Sequence, residues 1–397
     1  MPDDLIDIAA AREIVLAAVR PLEAERVALA EALGRVLAED VASTEDMPPF
    51  DSSALDGYVV GDTGGGDLPV VGESRAGAPA REALGPGQAM RISTGAAVPE
   101  GGVAVVGVER AQAADGRVVV PATKEGANIR RAGEDVPAGE QVLRAGDDLG
   151  PPELGALAAL GRADVLCGAA PRVAVLTTGD ELVEPGGGPL APGQIRNSNA
   201  YALAAQAQRA GARVIAREIV RDDRAHTVET LGRALEAADV VVVSGGVSVG
   251  PHDHVKPALA ELGVDEHFWR VALKPGKPTW FGTRGDKVVF GLPGNPVSAI
   301  VTFHLFARPA LRRLAGGDAH DTRSQARIDV DYPREPGRDQ VLRVRLGARP
   351  DGWHVTPTKP QGSHVLTSML GAGAFAIVPR GEGELAAGST VDIELLP

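Results

Sequence analysis

Carboxylates recur in this sequence directly after short apolar runs. Asp180 and Glu181 follow Val173–Leu176, Asp222 and Asp223 follow the run ending at Val220, and Asp253 follows Val240–Val243. The last of these opens the stretch VVVVSGGVSVGPHDH over 240–254, where four valines lead into a turn containing Ser244, Gly245, Gly246, Ser248 and Gly250. An unbroken β-branched run fits a strand covered on both faces. Glycines after it permit positive φ and let backbone N–H groups approach an anion. Loops of this kind meet in one crevice at the carboxyl ends of parallel strands. Carboxylates gathered there suit a hard divalent ion such as magnesium, which takes oxygen ligands and accompanies phosphates. The plain alternative is that each is a loop or capping acid and the glycine turn a simple connection.

Positive charge stands close by in sequence. Arg270, Lys274 and Lys277 lie in RVALKPGKPTW, where Pro275 and Pro278 restrain the segment that presents both lysines. Arg130, Arg131 and Arg196 are further candidates for an anionic substrate. The segment lacks the upstream glycine and following helix of a Walker A loop. No HExxH zinc pair occurs, and His252 and His254 read as turn residues around Asp253. Aromatic residues make up only 3% of the chain, which argues against base stacking.

The elements that must hold these loops follow from pattern. Strand and helix signals alternate from 168 to 316: RVAVLTT, then a helix from Ala200, RVIAREIV, a helix over Thr227–Ala238, the valine run, and KVVFGLPGNP leading into a helix with Pro296 in its first turn. That alternation predicts a doubly wound, mainly parallel sheet. Apolar residues at helical spacing predict helices over Ile8–Val19 and Val27–Leu37, and Pro151 and Pro152 open a third. Residues 1–45 and 146–167 are therefore expected to form a helical, extended domain. It is interrupted by a Gly- and Pro-rich β insertion over 46–145. From 317 to 397 five short runs alternate at period two, which predicts a small barrel or sandwich.

Composition limits the function. A chain of 397 residues with net charge −13 is multidomain and unsuited to general nucleic-acid or anionic-membrane binding. Cys167 is the only cysteine, so there is no intrachain disulfide and no thiolate cluster. The acidic start MPDDLIDIAA lacks a signal core, and no run is long enough to span a bilayer, so a cytoplasmic protein is expected.

The ordered set LTTGDEL, SGGVSVGPHD, LKPGKP and GLPGNPVSA resembles the molybdopterin molybdenumtransferases, the MoeA family to which the gephyrin E domain is related. PPFDSSALDGYVV, STGAAVPEG, RRAGEDV and PTKPQGSHVLTSM extend the resemblance over nearly the whole chain. It implies a four-part homodimer that uses magnesium to insert molybdate into the dithiolene of adenylylated molybdopterin, releasing AMP and forming molybdenum cofactor. It also implies contact with a molybdopterin adenylyltransferase and with the molybdoenzymes that accept the cofactor. Catalytic positions carried over are Asp56, Asp135, Glu181, Asp222 and Asp253, with Glu181 and Asp253 on the metal. Substrate-binding positions are Thr94, Thr178, Gly179, Ser244, Gly245, Gly246, Ser248, Gly250, Arg270, Lys274, Lys277, Pro293, Gly294, Asn295, Pro296, Arg343 and Ser363. Arg270 stands where the family often has lysine, which turns a point charge into a planar fork. Asp56, Thr94 and Asp135 are far from the crevice in sequence and are expected to complete the site of the other protomer. A non-catalytic scaffold of the gephyrin E type and an adenylyltransferase are the alternatives.

Overall fold

The computed structural model of the protein describes residues 5–247, 253–358 and 360–396. Ser248, Gly250 and His252 fall outside the described residues. The valine run forms the strand Val240–Ser244, with every residue buried. It lies between Arg172–Thr178 and Lys287–Leu292 and runs parallel to both, and Arg213–Val220 continues the parallel set. Val240 and Val242 pack on one face with Leu203 and Phe290; Val241 and Val243 pack on the other with Leu231, Leu235 and Leu259. Burial on both faces is why this strand carries no polar alternation. The helices Ser198–Arg209 and Pro296–Thr302 cover the first face, and Arg224–Ala237 and Val255–Glu261 the second.

Two features differ from the sequence expectation. The sheet is mixed, because Trp280–Arg284 and Asp265–Trp269 add antiparallel strands at one edge. The lysine segment is the connection between those strands. The expected helix over Val27–Leu37 is absent. Ala24–Ala28 is a strand paired antiparallel with Asp164–Gly168, followed by the short turn of helix Leu29–Glu31. Gly34 adopts a φ of +74°, which ends any helical continuation, and Leu33, placed inward by the helical pattern, is 62% exposed. The helix Ile8–Ala18 does form, but it packs on the central sheet through Ile8, Ala11 and Val15, not on Pro151–Ala159. Pro151–Ala159 instead covers a small cluster of Val27, Leu37, Val165 and Cys167. The expected helical pairing in the first domain is thus replaced by strand pairing.

The insertion holds a six-stranded sheet in the order Ala104–Gly107, Gly57–Val60, Ala89–Ile92, Gly66–Ser74, Arg117–Val120, Gln112–Ala114. At the other end of the chain five strands close on themselves. Asp339–Arg349 pairs with both Gly352–Pro357 and Ala374–Val378, and the ring returns through Thr390–Leu395 and Arg323–Ile328. Ile328, Leu342, Val344, Val355, Ala376 and Ile393 fill it. This barrel docks on the central domain where Leu273–Lys274 pairs with Asp339–Gln340, and where the Val297 N–H donates to the Ser363 carbonyl at 3.1 Å. The buried ion pair of Arg12 with Glu394 ties the first helix to the barrel as well.

Candidate active site

The loops after the parallel strands converge as their positions require. Thr178 ends one strand opposite Val220, and the Gly179 N–H donates to the Val220 carbonyl at 3.2 Å. Asp180 then accepts from the Asp222 N–H at 3.3 Å, and Asp223 caps Arg224–Ala237 by accepting from the His226 N–H at 2.8 Å. Gly179 has a φ of +141°, and a Cβ there would lie 2.4 Å from the Glu181 Oε2. The Glu181 carboxylate therefore folds back over a glycine that alone leaves it room. Gly245, at φ +97°, and Gly246, at φ +67°, are constrained in the same way: a Cβ would meet the Thr178 hydroxyl at 2.5 Å in the first and Val255 Cγ2 at 2.6 Å in the second. The glycine turn is thus laid against Thr178 by contact as well as by dihedral angle. Asp253 stands two residues before Val255–Glu261, and its charge acts on the neighbouring Lys256.

Two cavities open beside this edge. One, of about 450 Å³, is lined by Thr178, Glu181, Ser244, Gly294, Asn295 and Pro296, together with Asn199 and His364. Asn199 donates to the Ser244 hydroxyl at 2.9 Å and to the Gly294 carbonyl at 2.8 Å, so one side chain holds the two loops together. The second cavity, of about 470 Å³, lies between the central domain and the barrel and is lined by Lys274, Lys277, Pro293, Asn295, Arg343 and Ser363 among others. Asn295 borders both cavities, and its amide reaches the Ser363 hydroxyl at 3.3 Å.

The second cavity is strongly cationic. Arg343 is 1% exposed and donates to the Ser368 hydroxyl at 3.1 Å and to the carbonyls of Gly362 and Pro360 at 3.1 and 3.3 Å. Among the described residues no carboxylate makes an ion pair with it, and burial pushes its pKa down. Arg338 also lines the space, as does Gln340, which is 7% exposed with no hydrogen-bond partner for its Oε1. Lys274 is paired with Glu335 at the rim.

Several expected residues stand elsewhere. Arg270 lines neither cavity; its backbone has a φ of +75° and its guanidinium stacks on Trp269, 4.0 Å from the ring centre. The Trp269 indole donates to the Val247 carbonyl at 3.1 Å, so this pair braces the glycine turn. In the insertion, Asp56 accepts from the Thr94 N–H at 2.8 Å and the Thr94 hydroxyl at 3.1 Å. The Asp135 N–H donates to the Met47 carbonyl at 3.1 Å in the loop pairing that also joins Arg131 to Asp51. None of Asp56, Thr94 or Asp135 lines either cavity of the same chain. Asn199, Arg338, Gln340 and His364 were missed by sequence reasoning. Only Asn199, in the NSN cluster at a helix start, carried a local signal.

A basic cavity beside the carboxyl edge of the sheet, set between the central domain and the barrel, suits a protein that takes small molecules across a domain junction. Known proteins agree on the type. Residues 6–161 match the MoeA N-terminal region (domains I and II), residues 174–313 a probable molybdopterin binding domain, and residues 325–396 the MoeA C-terminal region (domain IV). The chain belongs to the MoeA family. It is 38% identical to the molybdopterin molybdenumtransferase of Haemophilus influenzae, covering 94% of each chain. It is likewise 38% identical to molybdopterin molybdenumtransferase 2 of Mycobacterium tuberculosis, covering 96% of each. The crystal structure of the molybdopterin biosynthesis MoeA protein from Pyrococcus horikoshii OT3 superposes with a TM-score of 0.82 at 30% identity, covering 99% of this chain and all of that one.

Proposed function

We propose that this protein is a molybdopterin molybdenumtransferase that inserts molybdenum into the dithiolene of adenylylated molybdopterin, releasing AMP and forming molybdenum cofactor. The observation that carries the proposal is the pair of cavities joined at Asn295 and Ser363. The first, with Thr178, Glu181, Ser244 and Asn199 on its wall, suits a pterin bearing a pyrophosphate. The second, with Lys274, Lys277 and Arg343, suits molybdate, an oxyanion. Sulfur ligands come from the substrate, which explains why a single buried cysteine suffices.

Glu181 and Asp253 would hold magnesium. Among the described residues no group of three or more His, Cys, Asp or Glu converges into a closed cage. Magnesium takes one or two carboxylates and completes its shell with water and substrate phosphate. When bound, magnesium would offset charge on the pyrophosphate. Asp253 positions the oxygen that attacks the anhydride, and the glycine turn orients the phosphates. Asp56, Thr94 and Asp135, away from the cavities of their own chain, serve the site of the partner in a symmetric homodimer. The protein acts in the cytoplasm, takes its substrate from a molybdopterin adenylyltransferase and passes cofactor to molybdoenzymes.

Incubation with adenylylated molybdopterin, magnesium and molybdate tests the proposal. AMP release coupled to cofactor formation is expected. Binding without AMP release would favour a scaffold, and adenylylation from ATP would favour a transferase of the preceding kind.

A further inference from the structure

The carboxylate of Glu335 sits between two cations of the basic cavity. It pairs with the Lys274 ammonium, and it accepts from Arg338 Nη2 at 3.1 Å. The hydrogen bond from Lys274, helped by the charge of Arg338, holds its carboxyl below the usual range, so it is ionised at neutral pH. Lys274 and Arg338 line the cavity, whereas Glu335 does not and stands at its rim. The backbone around it is anchored: the Glu335 carbonyl accepts from the Gly381 N–H at 3.0 Å, and the Arg334 guanidinium donates to the carbonyls of Pro379 and Arg380. Only the side chain need move.

An entering oxyanion requires the same donors that this carboxylate occupies. Deeper in the cavity Arg343 has no carboxylate ion-paired with it among the described residues, so nothing of that kind competes there. We infer that Glu335 is an internal competitor for the anion site, releasing Lys274 and Arg338 as the substrate oxyanion enters and reclaiming them when it leaves. This rests on the proposal that the cavity receives molybdate. Lys274 and Glu335 are 52% and 29% exposed, so each contact is a screened surface pair. Such pairs are worth about 1.5- to 5-fold in an equilibrium constant, and loss of both should tighten anion binding roughly 3- to 10-fold.

The test is calorimetric titration of sodium molybdate into the full chain and its Glu335→Gln variant at two salt concentrations, with thermal melts to verify folding. Glu335→Gln should bind molybdate roughly 3- to 10-fold more tightly, and the KM for molybdate should fall in step. In a double-mutant cycle the share of that gain owed to Lys274 should vanish on a Lys274→Ala background, leaving the share owed to Arg338. Unchanged or weaker binding by Glu335→Gln would show that the carboxylate positions the lysine, and would overturn the inference. If Glu335→Gln does not fold, Glu335→Asp, too short to span both cations, must still bind more tightly than the wild type, and equal or weaker binding overturns the inference. Absence of molybdate binding by the wild type would overturn the oxyanion assignment of the cavity and the inference with it.

Discussion

Among the described residues Arg343 is a buried charge with no carboxylate ion-paired to it, and replacing it by methionine separates stability from function. Arg343→Met keeps an unbranched apolar stem, stops short of the guanidinium, and removes three hydrogen bonds, to Ser368, Gly362 and Pro360. Acceptors left unsatisfied cost about 1–3 kcal/mol each. Against that, a buried ion carries a desolvation penalty of several kcal/mol, and apolar replacement of buried charges is often neutral or stabilising by roughly 1–4 kcal/mol. Three acceptors at that cost outweigh the relief, so ligand-free stability should fall by about 2–5 kcal/mol. Anion binding should respond differently. A charge-assisted hydrogen bond is worth roughly 1.5–3 kcal/mol, which predicts about 10- to 100-fold weaker molybdate binding. Urea unfolding with and without molybdate reads both quantities. At a concentration 100 times the wild-type Kd, ligand stabilises the wild type by about 2.7 kcal/mol. The variant at that concentration should gain only about 0.4–1.4 kcal/mol. The full molybdate shift retained by the variant would make Arg343 scaffolding and refute the argument.

Asp253→Asn should leave substrate binding without metal unchanged or tighter, while single-turnover AMP release falls roughly 100-fold or more; lost binding with a normal rate for bound substrate would reduce Asp253 to a positioning group. Mixing inactive Asp56→Asn chains with inactive Asp253→Asn chains should restore part of the activity through heterodimers, and no recovery after verified subunit exchange counts against a shared site. Burial, with the charges of Arg308 and Arg12 behind it, pushes His304 down to about 3, so the native state resists a proton that the unfolded chain accepts near pH 6.5. Its contribution is complete above pH 7 and is lost as pH falls from about 6.5 toward 3, amounting to about 2 kcal/mol by pH 5; urea titrations at pH 7 and 5 should show that difference shrink in His304→Gln, and an unchanged pH dependence would contradict it. Cys167→Ala should keep normal turnover, whereas Cys167→Ser, which puts a hydroxyl among Val27, Leu37 and Val165, should lose about 1–3 kcal/mol of stability in denaturant with its activity intact when folded; loss of insertion by a well-folded Cys167→Ala would misplace the molybdenum chemistry.

Much of the site was legible because its determinants are local. The valine run, Gly245 and Gly246, the acids after each strand, and Pro296 after Asn295 each mark a strand end, a turn or a helix start. Parallel topology then brings such ends to one edge whatever the rest of the chain does. The five strands of the last domain were legible for a related reason, since period-two alternation is a property of each strand alone, whereas their closure into a barrel rests on long-range pairing. Asp222 and Gly179 likewise take the places their sequence neighbours dictate, at the seam between adjacent strands.

What escaped the sequence depends on partners distant along the chain. Residues 27–37 carry helical spacing, but pairing of Ala24–Ala28 with Asp164–Gly168 outweighs a weak local preference, and Gly34 stops the helix. Lys274 and Lys277 announced a basic site, yet its depth comes from Arg343 and its rim from Glu335, which reach it only because the barrel docks on Leu273–Lys274. Asn199 and Arg343 look like ordinary polar residues until burial decides which groups they must satisfy. The sequence by itself determined the strand ends, the turns and the types of charge available. Tertiary packing alone decided which charges face one cavity and which are neutralised, because that depends on long-range contacts no local pattern encodes.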